Sequence, residues 1–198
     1  MKHVQLLNNL ISRYHYKSYL EIGCENDVCF NQIKIEKKFG CDPASGGTHR
    51  MTSDEFFEKN NMTFDLIFVD GLHWSEQVIR DISNGLKFLN KNGMIVLHDC
   101  NPPNERIGNY PIKSTPWTGD CWKAIVHCRQ MPYLDCVVGN FDWGCGIIRE
   151  KKNTDLLVMD KWYSKLTYEE MNKNRIKWLR LKSYSEVIQW LDQGDKEK

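Results

Sequence analysis

A short apolar run ending at a glycine, Tyr19-Leu20-Glu21-Ile22-Gly23-Cys24-Glu25-Asn26-Asp27, is followed nineteen residues after Gly23 by Phe39-Gly40-Cys41-Asp42-Pro43. A strand entering a glycine turn, then a second strand ending in a carboxylate, is the pattern by which doubly wound α/β folds grip a ribose. The loop lacks the later glycines of a dinucleotide fingerprint: G-x-G-x-x-G begun at Gly23 would need glycine where Glu25 and Val28 stand. Glu21, Glu25 and Asp27 place three carboxylates where a pyrophosphate would sit, which repels an anion and suits a cation.

The alternation of strand and helix patterns continues along the chain. Leu6, Leu7, Leu10, Ile11 and Tyr14 recur at helical spacing ahead of a first strand over 18–22. Residues 28–37 are predicted as a crossover helix, 38–41 as the second strand, 43–47 as a loop and 49–51 as a short third strand. Thr52 and Glu55 form a capping box for a helix through Phe56 and Phe57, and 64–70 reads as a fully buried fourth strand. Ser75 is expected to cap a helix whose Val78, Ile79, Ile82, Leu86 and Leu89 form one apolar stripe, with Asn92-Gly93 as its stop. A fifth strand, 94–97, ends at His98-Asp99-Cys100.

Residues 101–118 hold four of the six prolines and read as a functional loop or lid. A helix is expected over 122–130, then an antiparallel strand pair, 134–138 and 144–148. Capping boxes at Thr167/Glu170 and Ser183/Glu186 start two tail helices, whose Trp178 and Trp190 are read as exposed to a partner surface, which is either the sheet or a second copy of the chain. This order predicts a doubly wound, Rossmann-like α/β fold: a mostly parallel seven-stranded sheet with an antiparallel strand at the end and helices on both faces. A single domain over 1–198 is expected, with a core of about 15–150, a helical extension over 151–198, and the ligand crevice at the carboxyl ends of the strands.

Length and charge narrow the function. A chain of 198 residues can bury a sizeable core, and a net charge of +1 supplies no basic field to hold nucleic acid, so a small polar substrate is the expected partner. The eight cysteines lack CxxC pairs and are read as reduced, mostly buried thiols of a cytoplasmic protein. Residues 1–3 lead into an amphipathic stretch rather than a signal peptide, and no apolar run suggests a membrane span.

S-adenosylmethionine carries an adenosine, a sulfonium and an amino group without a phosphate, and so meets both demands of the opening loop. In this the chain resembles class I S-adenosylmethionine-dependent methyltransferases, and among them a small-molecule O-methyltransferase subgroup found beside sugar and glycan modification enzymes. The segments carrying the resemblance are Leu20-Glu21-Ile22-Gly23-Cys24, Cys41-Asp42-Pro43, and residues 51–57, 64–73, 93–103 and 117–123. The resemblance implies that Gly23 lets the backbone approach the methionine part, that Glu21 helps hold it, and that Asp42 takes the ribose hydroxyls. It also implies that Thr52-Ser53-Asp54 contacts the adenine; Cys24, Ser53 and Asp70 complete the cofactor-binding candidates. The family's later loop glycines are Glu25 and Asp27 here.

Methyl transfer is an in-line displacement that requires an acceptor oxygen opposite the sulfonium and relief of that oxygen's proton. Sugar hydroxyls are weak acids, so a base or a Lewis acid is useful. His73, His98 and Asp99 are the catalytic candidates, with imidazole in the right range for proton transfer. Metal-dependent relatives of this fold place a carboxylate after the fourth strand and a carboxylate plus a second oxygen ligand after the fifth, holding Mg²⁺. Asp70 and Asp99 match two of those positions, while the third falls on Cys100, a poor Mg²⁺ ligand, with Asn101 as a substitute. His98 and Asp99 are adjacent on a strand end, so only one can enter the crevice unless the chain turns there.

Trp117, Asp120 and Lys123 are the substrate candidates, an aromatic face with nearby polar groups that suits a sugar ring. Bland roles stand beside the functional ones: Glu21 as an ion-paired strand end, Asp42 as a turn former before Pro43, His73 as a cap, Asp120 near a helix N-terminus. The expected function is methyl transfer to a hydroxyl of a small molecule, a sugar or glycan precursor. Alternatives are RNA or protein methylation and a non-catalytic S-adenosylmethionine-binding module. The group Asp70, His73, His98 and Asp99 separates enzyme from module, because binding alone needs no such convergence of titratable residues.

Overall fold

Residues 1–195 are described by a computed structural model, in which helical and extended segments alternate as their apolar periods require. In chain order the elements are α1 (His3–Tyr14), β1 (Ser18–Ile22), β2 (Lys37–Cys41), α2 (Ser53–Lys59), β3 (Phe64–Val69), α3 (Ser75–Lys87) and β4 (Leu89–Leu97). Then follow α4 (Trp122–Arg129), β5 (Leu134–Gly139), β6 (Cys145–Glu150), α5 (Tyr168–Leu179), β7 (Leu181–Lys182) and α6 (Tyr184–Asp195). The sheet order is β2-β1-β3-β4-β6-β5-β7, and β6 alone runs against its neighbours. Strand order reverses between β1 and β3, which opens a crevice at their carboxyl ends.

Both sheet faces are buried, and alternate residues on each strand serve opposite layers. Leu20, Ile22, Ile95 and Leu97 pack with Phe56 and Phe57 of α2, Val78 and Ile82 of α3, and Ala124 and Ile125 of α4. Tyr19, Leu66, Phe68 and Val96 face the other way, onto Leu6, Leu7 and Leu10 of α1 and Val187 and Trp190 of α6. No helix among the described residues is long and apolar enough to cross a membrane. All eight cysteines are free, seven of them buried.

Several local expectations are corrected. Residues 28–37 form only a 3-10 turn, Phe30–Gln32, because side chains from elsewhere take the backbone groups a helix would have used. Asn8 binds both the Gln32 carbonyl (3.0 Å) and the Lys34 N–H (2.8 Å), and Lys38 Nζ donates to the Phe30 carbonyl at 2.7 Å. The strand expected at 49–51 is a single parallel bridge between Cys41 and His49, squeezed between the Gly46-Gly47 turn and the Thr52 cap of α2. The seventh strand is instead β7, whose pairing with β5 joins the tail to the sheet.

Helix α3 ends at Lys87, so Leu89 opens β4 rather than closing the helix stripe, and Asn92-Gly93 lies inside that strand's irregular start. Ser75 is the first helical residue, not the cap. Its N–H (2.7 Å) and hydroxyl (3.0 Å) are both taken by the Asp120 carboxylate, which places a negative charge at the helix N-terminus.

The tail tryptophans face inward. Trp178 packs against the α2–α5 side of the core, and Trp190, 4 % exposed, donates its indole N–H to Asp135 at 3.1 Å. Asp135 is buried and also holds Arg149 at 2.7 Å and Arg180 at 2.6 Å, while the Arg149 guanidinium lies 3.6 Å from the Trp190 ring centroid. Removing the carboxylate takes the ion-pair partner from the buried Arg149 and leaves Arg180 only its 3.0 Å pairing with Asp155. Asp135→Ala is expected to lower stability by about 3–5 kcal/mol, read as a fall in the urea midpoint. A variant within about 1 kcal/mol of wild type would show that apolar contact alone docks the tail.

Candidate active site

The carboxyl ends of β1, β2, β3 and β4 converge on a cleft of about 940 Å³. Glu21, Gly23, Cys24, Asp42, Ser53, Asp70, His73, His98, Asp99 and Trp117 all line it. Asp120 and Lys123 do not; they pair with each other at 3.1 Å, with Asp120 holding the start of α3. Residues that the sequence pattern did not single out also line the cleft, among them His3, Gln77 and Trp143.

Gly23 makes the close approach that its position demands. Its N–H donates to the Cys41 carbonyl at 2.9 Å, its φ is +87°, and a Cβ there would stand 2.3 Å from the Asp70 carbonyl oxygen. The two positions where glycine is missing keep a glycine-like backbone, with φ of 48° at Glu25 and 59° at Asp27. Hydrogen bonds to the neighbouring loop offset the strain. Glu25 N–H donates to Asp42 Oδ2 (3.0 Å), the Glu25 carbonyl accepts from the Ser45 hydroxyl (2.7 Å), and Asp27 Oδ1 accepts from Gly47 N–H (2.7 Å).

This revises the three-carboxylate picture, because Asp27 is turned onto Gly47 and only Glu21 and Glu25 line the cleft. Glu21 is 1 % exposed and accepts from the Tyr19 hydroxyl at 2.5 Å; burial pushes its pKa up to about 7, against the lowering effect of that bond. Asp42 performs the turn role as well as lining the cleft, since Oδ1 accepts from Ala44 (2.7 Å) and Ser45 (2.9 Å). Burial opposes ionisation there, but the N–H groups of Glu25, Ser45, Ala44 and Cys24 hold its pKa below the ordinary value. Oδ2 receives one backbone N–H and retains capacity for a ligand hydroxyl.

The deep end of the cleft gathers carboxylates and imidazoles. Asp70 Oδ1 stands 3.4 Å from His73 Nε2 and 3.3 Å from His98 Nδ1. Asp99 reaches both rings, with His73 Nδ1 at 3.3 Å and His98 Nδ1 at 3.4 Å. Both His98 and Asp99 enter the cleft because the chain does turn there: Asp99 has a φ of +60°. His73 Nδ1 lies 3.0 Å from the Trp117 carbonyl, which can only accept, so the proton belongs on that nitrogen.

These contacts polarise the group. Burial raises Asp99 to about 6, His98 opposing and Asp70 adding to the rise. Burial works against charge on His98 too, but Asp142, Asp70 and Asp99 push its pKa up to about 11. Asp70, although buried, is held well below the usual carboxylate range by His73 and His98.

Asp70, His73 and Asp99 bring ligand atoms within 4.8 Å of one another, so they fit a divalent cation that takes one or two carboxylates and fills its other positions with water. The third ligand expected after β4 is absent from this group. Cys100 Sγ turns back to the His98 carbonyl, and Asn101 binds Asn140 and Arg175. The loop over 101–118 is tied down through Thr118 and Trp122 to the carbonyls of Ile107 and Gly108, and it lays Trp117 beside His73 with ring centroids 5.2 Å apart.

Residues 38–100 match the family model of a methyltransferase domain, a stretch that contains Asp42, Asp70, His73, His98 and Asp99. Similar solved structures include a Podospora anserina methyltransferase bound to SAH, 16 % identical over 75 % of this chain and 78 % of that one, TM-score 0.54. A Bacillus cereus O-methyltransferase in complex with SAH is 14 % identical over 73 % and 78 %, TM-score 0.53. No curated protein matches the chain. At these identities the likeness is one of fold, and the chain shares the Rossmann-like fold of these two methyltransferases.

The left-handed backbone at Glu25 carries a testable cost. A non-glycine residue there sacrifices about 1 kcal/mol, part of which glycine would return through an unstrained turn and lose again through a looser unfolded chain. Glu25→Gly is therefore expected to be neutral to about 1 kcal/mol more stable in urea denaturation. A loss of more than about 1 kcal/mol would show that the side chain, not the backbone, holds this loop.

Proposed function

We propose that the chain is an S-adenosylmethionine-dependent methyltransferase acting on a hydroxyl of a small molecule, with a sugar or glycan precursor as the acceptor class. The observation that carries the reading is one continuous cleft in which Glu21, Gly23 and Asp42 stand at the ends of β1 and β2 and Ser53 at the start of α2, while Asp70, His73, His98 and Asp99 occupy the adjoining ends of β3 and β4. The first set suits a ribose and a cationic amino-acid part; the second suits the handling of a proton. SAH in the similarly folded Podospora and Bacillus proteins supports the cofactor, and the name of the latter supports an oxygen acceptor.

In this reading Asp42 Oδ2 takes a ribose hydroxyl, and Glu21 takes the amino group of the methionine part. Trp117 offers an aromatic face to the acceptor ring beside His73. Asp99, with its pKa raised to about 6, is the group positioned to receive the acceptor's proton. With no metal bound, His98 is held protonated between its carboxylates and offsets their charge, so its role is to stabilise the cluster rather than to act as the base. Where Asp70, Asp99 and His73 instead hold a divalent cation, Asp99 is a ligand rather than the base, and Mg²⁺ would supply Lewis-acid pull on the acceptor oxygen.

Calorimetry with S-adenosylmethionine and SAH tests the cofactor assignment. Wild type is expected to bind both, and Asp42→Ala to bind about tenfold to a hundredfold more weakly through loss of charge-assisted hydrogen bonds. Because Glu21 titrates near 7 in the free protein and a cation favours its ionised form, affinity should rise about fivefold from pH 6 to pH 7 and level off above pH 8. Glu21→Gln is expected to flatten that profile. Absence of binding by wild type would remove the cofactor assignment, and a pH profile unchanged in Glu21→Gln would remove Glu21 from it.

A further inference from the structure

His98 has one ring nitrogen whose surroundings the proposed methyl transfer leaves unexplained. Its Nδ1 faces Asp70 and Asp99 at 3.3 and 3.4 Å, which makes it a natural proton donor. The other nitrogen, Nε2, is buried without a hydrogen-bond partner among the described residues, on a side chain that is only 10 % exposed. It faces Asp142 Oδ2 across 3.7 Å. With its proton, Nε2 meets the carboxylate only as a long ion pair, beyond good hydrogen-bond distance, and without the proton its lone pair would face the carboxylate. A cation between the two atoms removes the conflict.

His3 completes the surroundings from the far end of the chain. Its Nδ1 lies 2.6 Å from the same Asp142 oxygen, and the ligand atoms of His3, His98 and Asp142 all fall within 4.8 Å of one another. The three residues come from the start of α1, the end of β4 and the turn between β5 and β6. We propose that His3, His98 and Asp142 form a binding site for a first-row transition-metal dication of the zinc or cobalt kind, separate from the Asp70, His73 and Asp99 group.

Donor chemistry and geometry both favour that class of ion. Two imidazole nitrogens and one carboxylate oxygen suit zinc, cobalt or iron, whereas Mg²⁺ and Ca²⁺ favour oxygen ligands. Tetrahedral coordination at about 2.0–2.1 Å spaces donors about 3.3 Å apart, so the present 2.6 and 3.7 Å contacts need shifts of well under about 1 Å.

The supporting shell is built as metal sites require. His98 can direct its Nδ1–H to Asp70 and Asp99, leaving Nε2 as the ligand, and Asp142 Oδ2 also accepts the His3 backbone N–H at 2.6 Å. The His3 ring stacks on Phe68 and meets His98 edge-on, with centroids 5.4 and 4.6 Å apart. The turn that carries Asp142 is pinned to the end of β4, since Cys100 N–H donates to the Gly144 carbonyl and Asn101 N–H to that of Trp143. The carboxylates that hold a proton on His98 attract a dication more strongly, so metal binding exchanges that proton for the ion. His3 and His98 both line the cleft, which gives an ion a route to the site.

The test titrates chelator-stripped full-length protein with Zn²⁺ by calorimetry and with Co²⁺ by its visible spectrum. Wild type is expected to take up an equivalent of either ion, with a tetrahedral Co²⁺ spectrum, in the presence of excess Mg²⁺. His3→Ala and Asp142→Asn are each expected to weaken that equivalent at least about tenfold, while His73→Ala retains it. The far-ultraviolet circular dichroism and urea midpoint of His3→Ala and Asp142→Asn, measured in parallel and matching wild type, show that the variants are folded. Three results overturn the proposal: no uptake by wild type, undiminished uptake by both His3→Ala and Asp142→Asn, or loss of uptake in His73→Ala with retention in His3→Ala.

Discussion

Everything at the functional end of the molecule depends on how closely the ends of β1, β2 and β3 are drawn together at Gly23. The hydrogen bond from Gly23 to the Cys41 carbonyl fixes β1 against β2, and the absent Cβ lets the Asp70 carbonyl come within a distance that no side chain would tolerate. Glu21, Asp42 and Asp70 therefore line one cleft rather than three separate edges. The left-handed residues Glu25 and Asp27, zipped to the Asp42–Gly47 loop, hold the rim around that point.

Charge organises the cleft on a second level. Buried carboxylates would repel one another in a low-dielectric crevice, and imidazoles between them supply the compensation. Asp70 is stabilised as an anion between His73 and His98, and this in turn leaves Asp99 as the carboxyl whose pKa rises. The cluster thus separates two chemically similar acids into different protonation roles, a common way of preparing one site for proton transfer. Asp142 and His3 extend the same network beyond the strand ends to the N-terminal helix.

The strands that form the cleft were legible from the chain because their signals are local: apolar runs of strand length, each followed by a glycine or a carboxylate. The predicted first strand coincides with β1, and the Thr52 capping box starts α2 as expected. What was not legible came from distant partners. Asn8, 24 residues before Gln32, satisfies the segment 28–37 without a helix, Asp120 reaches 45 residues back to cap α3, and Trp190 turns inward to Asp135. Whether His98 and Asp99 could both face the crevice depended on a single backbone angle at Asp99, which no periodicity reveals. His3 and Asp142 lie 139 residues apart, and only the folded sheet brings them together.

The most direct test of the central claim is transfer itself: incubation with S-adenosylmethionine labelled on its methyl group and a panel of sugars, nucleotide sugars and phenols. The account predicts label on a hydroxyl oxygen of a sugar-containing acceptor, with turnover reduced by about a hundredfold or more in Asp99→Asn. A protein that binds the cofactor yet labels no acceptor in the panel, or an Asp99→Asn variant that turns over at the wild-type rate, would contradict it.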